Sequence, residues 1–197
     1  MANERIAPLE PPFSPTVAAT LAKWMPPGTG VPPLALFRTL ARHSMLFDRM
    51  RPLGAGLLGH GSLPGRIREL LILRTCARCG AGYEWGVHAT AFARAVGLAD
   101  AVVHATATAP PSDVAASSDD DALAMRVADE LHDASTLSDD VFAAASARFG
   151  EDGVLEMSAL AGFYHLIAFV IGAAGLSPEP WAAPFPAAQA AGGERGT

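Results

Sequence analysis

Apolar positions along this chain recur at helical spacing, and no stretch alternates as a strand does. The most informative run is 66–98, which reads as two helices joined at Gly80-Ala81-Gly82. On a wheel at about 100° per residue, the first helix is apolar on nearly every side, the pattern of a buried helix. Its arginines, Arg66, Arg68, Arg74 and Arg78, spread over one broad sector. The opposite arc holds Ile72, Leu73, Cys76, Cys79 and a lone charge, Glu69. The second helix carries the apolar stripe Trp85, Ala89, Phe92, Val96, with Glu84 and His88 four apart on one face.

The rest of the chain predicts further helices. Ser14-Pro15 supplies an N-cap and an N1 proline for a short helix reaching Trp24, stopped by Pro26-Pro27-Gly28. Pro32-Pro33 opens the next, with Leu36, Phe37 and Leu40 on one side. A helix over 45–58 should break near His60-Gly61, and Ser62-Leu63-Pro64 should start the central helix. Gly97 suits the close of the second central helix, and a short helix over 100–104 follows. Residues 106–121 read as a loop. A helix to about His132 starts in the acidic run after Ser118. Another is capped by Ser138, with Leu137 placed to staple to Phe142, and ends at Gly150. The last, over 153–174, has no charge from Met157 onward. It is long enough for a membrane span, but Ser158, Tyr164, His165 and its glycines favour a buried helix at a subunit interface. The pattern predicts an all-α bundle of about seven to nine helices. Residues 1–13 form an extended arm, 14–176 one helical domain and 177–197 a tail rich in proline, alanine and glycine.

Composition narrows the function. Half of the 197 residues are hydrophobic and 17% are charged, which is ample for a core. The formal charge is −6 with no basic cluster, which argues against nucleic acid or a membrane surface as partner. Two cysteines three apart make no secreted disulfide framework, and MANERIAPLEPP lacks a leader pattern, so a cytoplasmic location is expected.

The chemistry lies in the central run. A carboxylate such as Glu69 in an apolar arc is costly unless paired or protonated. With His88 and Glu84 it makes acid–base equipment. The competing reading is an ion pair and a core histidine with no chemistry. Glu84 and His88 could also share a metal ion, and Asp129, Glu130, His132 and Asp133 form a looser group. Neither has a recognised ligand spacing, so no metal and no cofactor are expected.

The order R-x-R-E-L-x-I-L-R, Y-E-W-x-x-H, A-x-x-x-G-L resembles the carboxymuconolactone decarboxylase family, whose superfamily includes the alkylhydroperoxidase D proteins. The likeness centres on 36–98 and is nearest the sub-group with Y-E-W before the histidine. It implies an all-helical, AhpD-like fold, homo-oligomers (dimer, trimer or hexamer) and an active site built on Glu69 and His88. Peroxidase members carry C-x-x-C with the second cysteine four residues before the histidine. Here those positions are Ala81 and Glu84. Cys76 and Cys79 lie instead near the C-terminal end of the preceding helix, where the dipole does not favour a thiolate. They read as buried small apolar residues.

The resulting expectation is a cofactor-free enzyme acting on a small carbonyl or lactone carboxylic acid, by decarboxylation or a related proton transfer. Glu69, His88 and Glu84 are the catalytic candidates. Cys76, Cys79, Tyr83, Trp85, Arg66, Arg68 and His165 are candidates to line the pocket. Glu69 is expected to titrate high through burial, unless a charged His88 lies close. The alternatives are thiol-dependent peroxide reduction through Cys76 and Cys79, and a non-catalytic oligomer.

Overall fold

The computed structural model describes residues 4–25, 32–114 and 118–186. Among them are nine α-helices, one short 3-10 helix and no strand. The helices are α1 (Pro15–Ala22), α2 (Ala35–Leu40), α3 (Ser44–Gly59), α4 (Gly65–Arg78) and α5 (Gly82–Ala91). After the 3-10 turn Ala93–Val96 come α6 (Asp100–Thr108), α7 (Pro111–Val114), α8 (Asp119–Ala134) and α9 (Asp139–Ala174).

The local signals act as their chemistry dictates. Ser14 Oγ accepts from the Val17 amide at 3.3 Å, with Pro15 at the first helical position. Gly80 takes φ +64°, and the Ala81 amide returns to the Cys76 carbonyl at 2.8 Å, which closes α4 and turns the chain into α5. The stop at Pro26-Pro27-Gly28 lies outside the described residues.

Two expectations are corrected. Residues 106–121 are not a continuous loop, because α6 runs to Thr108 and Pro111–Val114 forms α7. Ser138 stands at the N-cap of α9, but its hydroxyl bonds Glu130 instead of capping the helix. The expected end at Gly150 holds: its φ of 76° and ψ of 166° are non-helical, so α9 is two helices joined across a kink there.

α4 is the central element, packed on α5, α6, α8 and α9. Three arginines of its sector face α8. Arg66 bonds Asp121 at 2.9 and 2.6 Å, Arg74 bonds Asp129 at 2.6 and 2.8 Å, and Arg78 bonds Asp133. Every pair is 55 residues apart. A constant offset requires the two helices to run parallel and in register. Arg74 is buried and also donates to the carbonyls of Thr106 and Ala109, both at 2.9 Å.

Both flanking segments are tied to the bundle. The amides of Arg5 and Ile6 donate to the Ala174 carbonyl at the end of α9. Past α9, Glu179 accepts from the Ala35 amide at 2.6 Å, which caps α2 from 144 residues away. Ala183 lies against α5, its amide donating to Thr90 Oγ1 at 2.8 Å. Between these anchors α9 buries Met157, Leu160, Ala161, Tyr164, Ala168 and Ile171. Its most apolar window, with mean hydropathy 1.8, is half buried against the other helices.

Candidate active site

The turn at Gly80 lays α5 against α4 and brings His88 onto Glu69. His88 is 2% exposed, with Nδ1 2.7 Å from Glu69 Oε2. Its Nε2 faces Tyr164 Oη at 2.9 Å and Glu84 Oε1 at 3.5 Å. Tyr164, from α9, also sets its ring edge-on to the imidazole, and Phe92 stacks on it at 4.8 Å. Arg68 Nε reaches Glu69 Oε1 at 3.4 Å. The second oxygen of Glu84 is buried without a partner among the described residues.

Burial opposes a charge on His88, but Glu69 and Glu84 outweigh it and push the imidazole up to about 9. Imidazolium donates from both nitrogens, Nδ1–H to Glu69 and Nε2–H to Tyr164. Tyr164 is held far above the ordinary phenol range by burial and then by the Glu84 and Glu69 charges, so it stays a hydroxyl. Burial, then Glu84, likewise pushes the Cys76 thiol well up, and burial raises Cys79. Neither cysteine is disposed to be a thiolate.

The expected residues thus divide. Glu69, His88, Glu84 and Arg68 meet, with Cys76 close enough to feel both carboxylates. Arg66 does not join them, since its guanidinium is held by Asp121 and the Gly97 carbonyl. Trp85 is turned to Thr106, donating to Oγ1 at 3.0 Å. Tyr83 donates to Glu179 and lines a cleft of about 340 Å³ beside Gly80, Ala168 and Phe185. Cys79 and His165 line another, of about 720 Å³. Neither cleft includes Glu69, Glu84 or His88; the partly exposed Phe92 ring stacks on the imidazole. The loose acidic group does not converge either, because Asp129 and Asp133 are taken by Arg74 and Arg78, and Glu130 by Ser138. The sequence places Tyr164 in the buried last helix but does not single it out as a site residue. The available signal was its position as the polar member of the buried stripe Met157, Leu160, Tyr164, Ala168, Ile171.

A buried carboxylate–imidazole pair inside an all-helical bundle is an arrangement suited to proton transfer. The fold itself is the AhpD-like helical fold. The debrominase Bmp8, solved with 2,3,4-tribromopyrrole, superposes with a TM-score of 0.72 at 14% identity, covering 91% of this chain and 94% of that one. A peroxidase-related protein with an alkylhydroperoxidase AhpD core, from Ralstonia eutropha, gives 0.70 at 18% identity over 90% and 95%. Another peroxidase-related protein, from a Silicibacter species, gives 0.74 at 14% identity over 91% and 95%. No protein-family profile matches the chain, and no curated protein matches it in sequence.

Proposed function

We propose that the chain is a cofactor-free acid–base enzyme of the carboxymuconolactone decarboxylase and AhpD-like superfamily, acting on a small carbonyl or lactone carboxylic acid. The observation that carries this reading is the buried line Glu69–His88–Tyr164, with protonated imidazole at its centre. In a decarboxylation the carbon–carboxylate bond breaks, CO2 leaves, and the electron pair passes into the substrate carbonyl as an enolate. The carbanion carbon then takes a proton from Tyr164 Oη, which His88 Nε2–H replaces, while Glu69 holds the imidazole. Solvent reloads His88, whose raised pKa favours uptake at neutral pH. The unpartnered oxygen of Glu84 supplies an acceptor for a substrate hydroxyl or bound water.

Peroxide reduction through Cys76 and Cys79 is the second reading, favoured by the peroxidase-related names of two structural neighbours. The buried, protonated Cys76 thiol weighs against it. The test is to screen small lactone and β-keto carboxylic acids for CO2 release, then compare Glu69→Gln and His88→Gln. Each should lower turnover about a hundredfold or more with helical content kept. If both fold and keep near-normal rates, the acid–base reading is wrong. Peroxide-dependent turnover that survives these changes and is lost in a folded Cys76→Ala variant would establish the second.

A further inference from the structure

Tyr164 and His165 are neighbours on α9, and successive helical residues point about 100° apart. Tyr164 turns into the His88 site, whereas His165 faces the larger cleft, where it meets residues from two other helices. His165 Nε2 lies 3.0 Å from His132 Nδ1, and His132 Nδ1 lies 3.8 Å from Cys79 Sγ. The three atoms all fall within 4.8 Å of one another.

We propose that Cys79, His132 and His165 form a binding site for a borderline-soft divalent cation of the zinc type, with its fourth position open to the cleft. The spacing suits such an ion. Tetrahedral bonds of about 2.0–2.1 Å to nitrogen and 2.3 Å to sulfur place ligating nitrogens about 3.4 Å apart, and sulfur about 3.5 Å from nitrogen. The His132–His165 and Cys79–His132 separations differ from these by a few tenths of an ångström, and Cys79 and His165, within 4.8 Å of each other, close on an ion by side-chain rotation.

The histidine chemistry points the same way. His165 Nδ1–H donates to the Ala161 carbonyl at 2.8 Å. That bond fixes the tautomer and leaves the Nε2 lone pair aimed at the cluster, as an outer partner does for a metal-binding imidazole. Without an ion, the 3.0 Å contact needs a proton shared between His132 Nδ1 and His165 Nε2. An ion takes the place of that proton, which moves to His132 Nε2, and the thiol proton of Cys79 leaves to solvent. One sulfur and two nitrogens, with no carboxylate oxygen among them, select zinc over magnesium or calcium.

The scaffold is preorganised. Cys79 ends α4, His132 lies in the last turn of α8, and these helices are clamped together by their arginine–aspartate ladder. α9, which carries His165, packs on both. Arg78 also lines the cleft, but Asp133 and Asp129 offset its charge. Three protein ligands and an open cleft are the composition of a site that keeps a water or small ligand on its metal.

The experiment is a Co²⁺ titration of tag-free, chelator-stripped full-length protein, followed by displacement with Zn²⁺. The expected result is one ion per chain, with a thiolate-to-cobalt charge-transfer band and the strong visible bands of tetrahedral cobalt. Cys79→Ser should abolish the thiolate band. His132→Gln and His165→Gln should each weaken binding at least about tenfold to a hundredfold. Cys76→Ser and His88→Gln should leave the titration unchanged. Helical content monitors folding, and the two histidine variants serve should Cys79→Ser misfold. No thiolate band in the parent protein, a band that follows Cys76, or equal binding in the folded ligand variants overturns the proposal. The cluster is then a histidine–histidine hydrogen bond beside a thiol.

Discussion

Tyr164 Oη sits 2.9 Å from His88 Nε2, so a residue of α9 closes a site whose other members come from α4 and α5. If the phenol passes the proton from the imidazole, Tyr164→Phe removes the relay and keeps the ring packing. Turnover should fall about a hundredfold, while stability drops by only about 1 kcal/mol for the lost hydrogen bond. Steady-state rates and denaturant curves on the same preparation decide it. A folded variant with the parent rate removes Tyr164 from the mechanism.

Stability should depend on pH through His88. Its pKa rises from 6.5 in the unfolded chain to about 9 in the fold. A raised folded-state pKa gives a contribution fully present below 6.5 and lost as pH climbs through 9. The contribution is on the order of 3 kcal/mol. Urea unfolding between pH 6 and 9.5 should show the parent losing stability across this window, with a shallower slope in His88→Gln. Parallel slopes contradict the charged pair.

The ladder between α4 and α8 predicts an expensive single loss. Arg74→Met leaves the Thr106 and Ala109 carbonyls without their donor and Asp129 with only the longer 3.6 Å contact to Arg78. About 3–5 kcal/mol should be lost, and the double change with Asp129→Leu should recover much of it, because an apolar pair carries no desolvation cost. Equilibrium unfolding of both variants tests this. A single variant within about 1 kcal/mol of the parent means that the pair is not buried as described.

Residue 86 is one of the contact points of the C-terminal segment on α5. A Cβ there would sit 2.3 Å from the Ala183 carbonyl oxygen, a backbone atom that cannot swing away. Gly86→Ala should lift the segment from α5 at a cost of about 1–3 kcal/mol. Limited proteolysis should then trim the tail faster, with the bundle intact. Unchanged protection would show that the segment does not pack there.

α9 leaves Leu155 and Phe169 about two-thirds exposed, at 69% and 66%. Apolar exposure on the face of a core helix fits a second copy of the chain. Light scattering at micromolar concentration should give a multiple of 20.4 kDa, and Phe169→Glu with Leu155→Glu should reduce it to the single-chain mass. A parent protein already at that mass refutes the oligomer.

The sequence by itself determined the all-helical class and most element boundaries, and it offered Glu69 and His88 as partners. Those follow from local rules: helical periodicity, a serine–proline start, glycine at a left-handed turn, and a short reversal that leaves α5 little choice of partner. Pro110-Pro111 and its polar neighbours hid α7, because a helix that short is held by packing on α8 and not by its own propensity. The sequence did contain the arginine ladder: Arg66, Arg74, Arg78 and Asp121, Asp129, Asp133 share the same spacing. Only the parallel packing of α4 on α8 gave that spacing a meaning, and it took those arginines away from any substrate. Tyr164 and the Cys79–His132–His165 cluster were decided by tertiary structure alone. The second half of α9 is apolar on nearly every side, so periodicity gives it no rotational phase. Which of two adjacent residues faces His88, and which faces the cleft, was fixed by how α9 turns as it packs against α4 and α8.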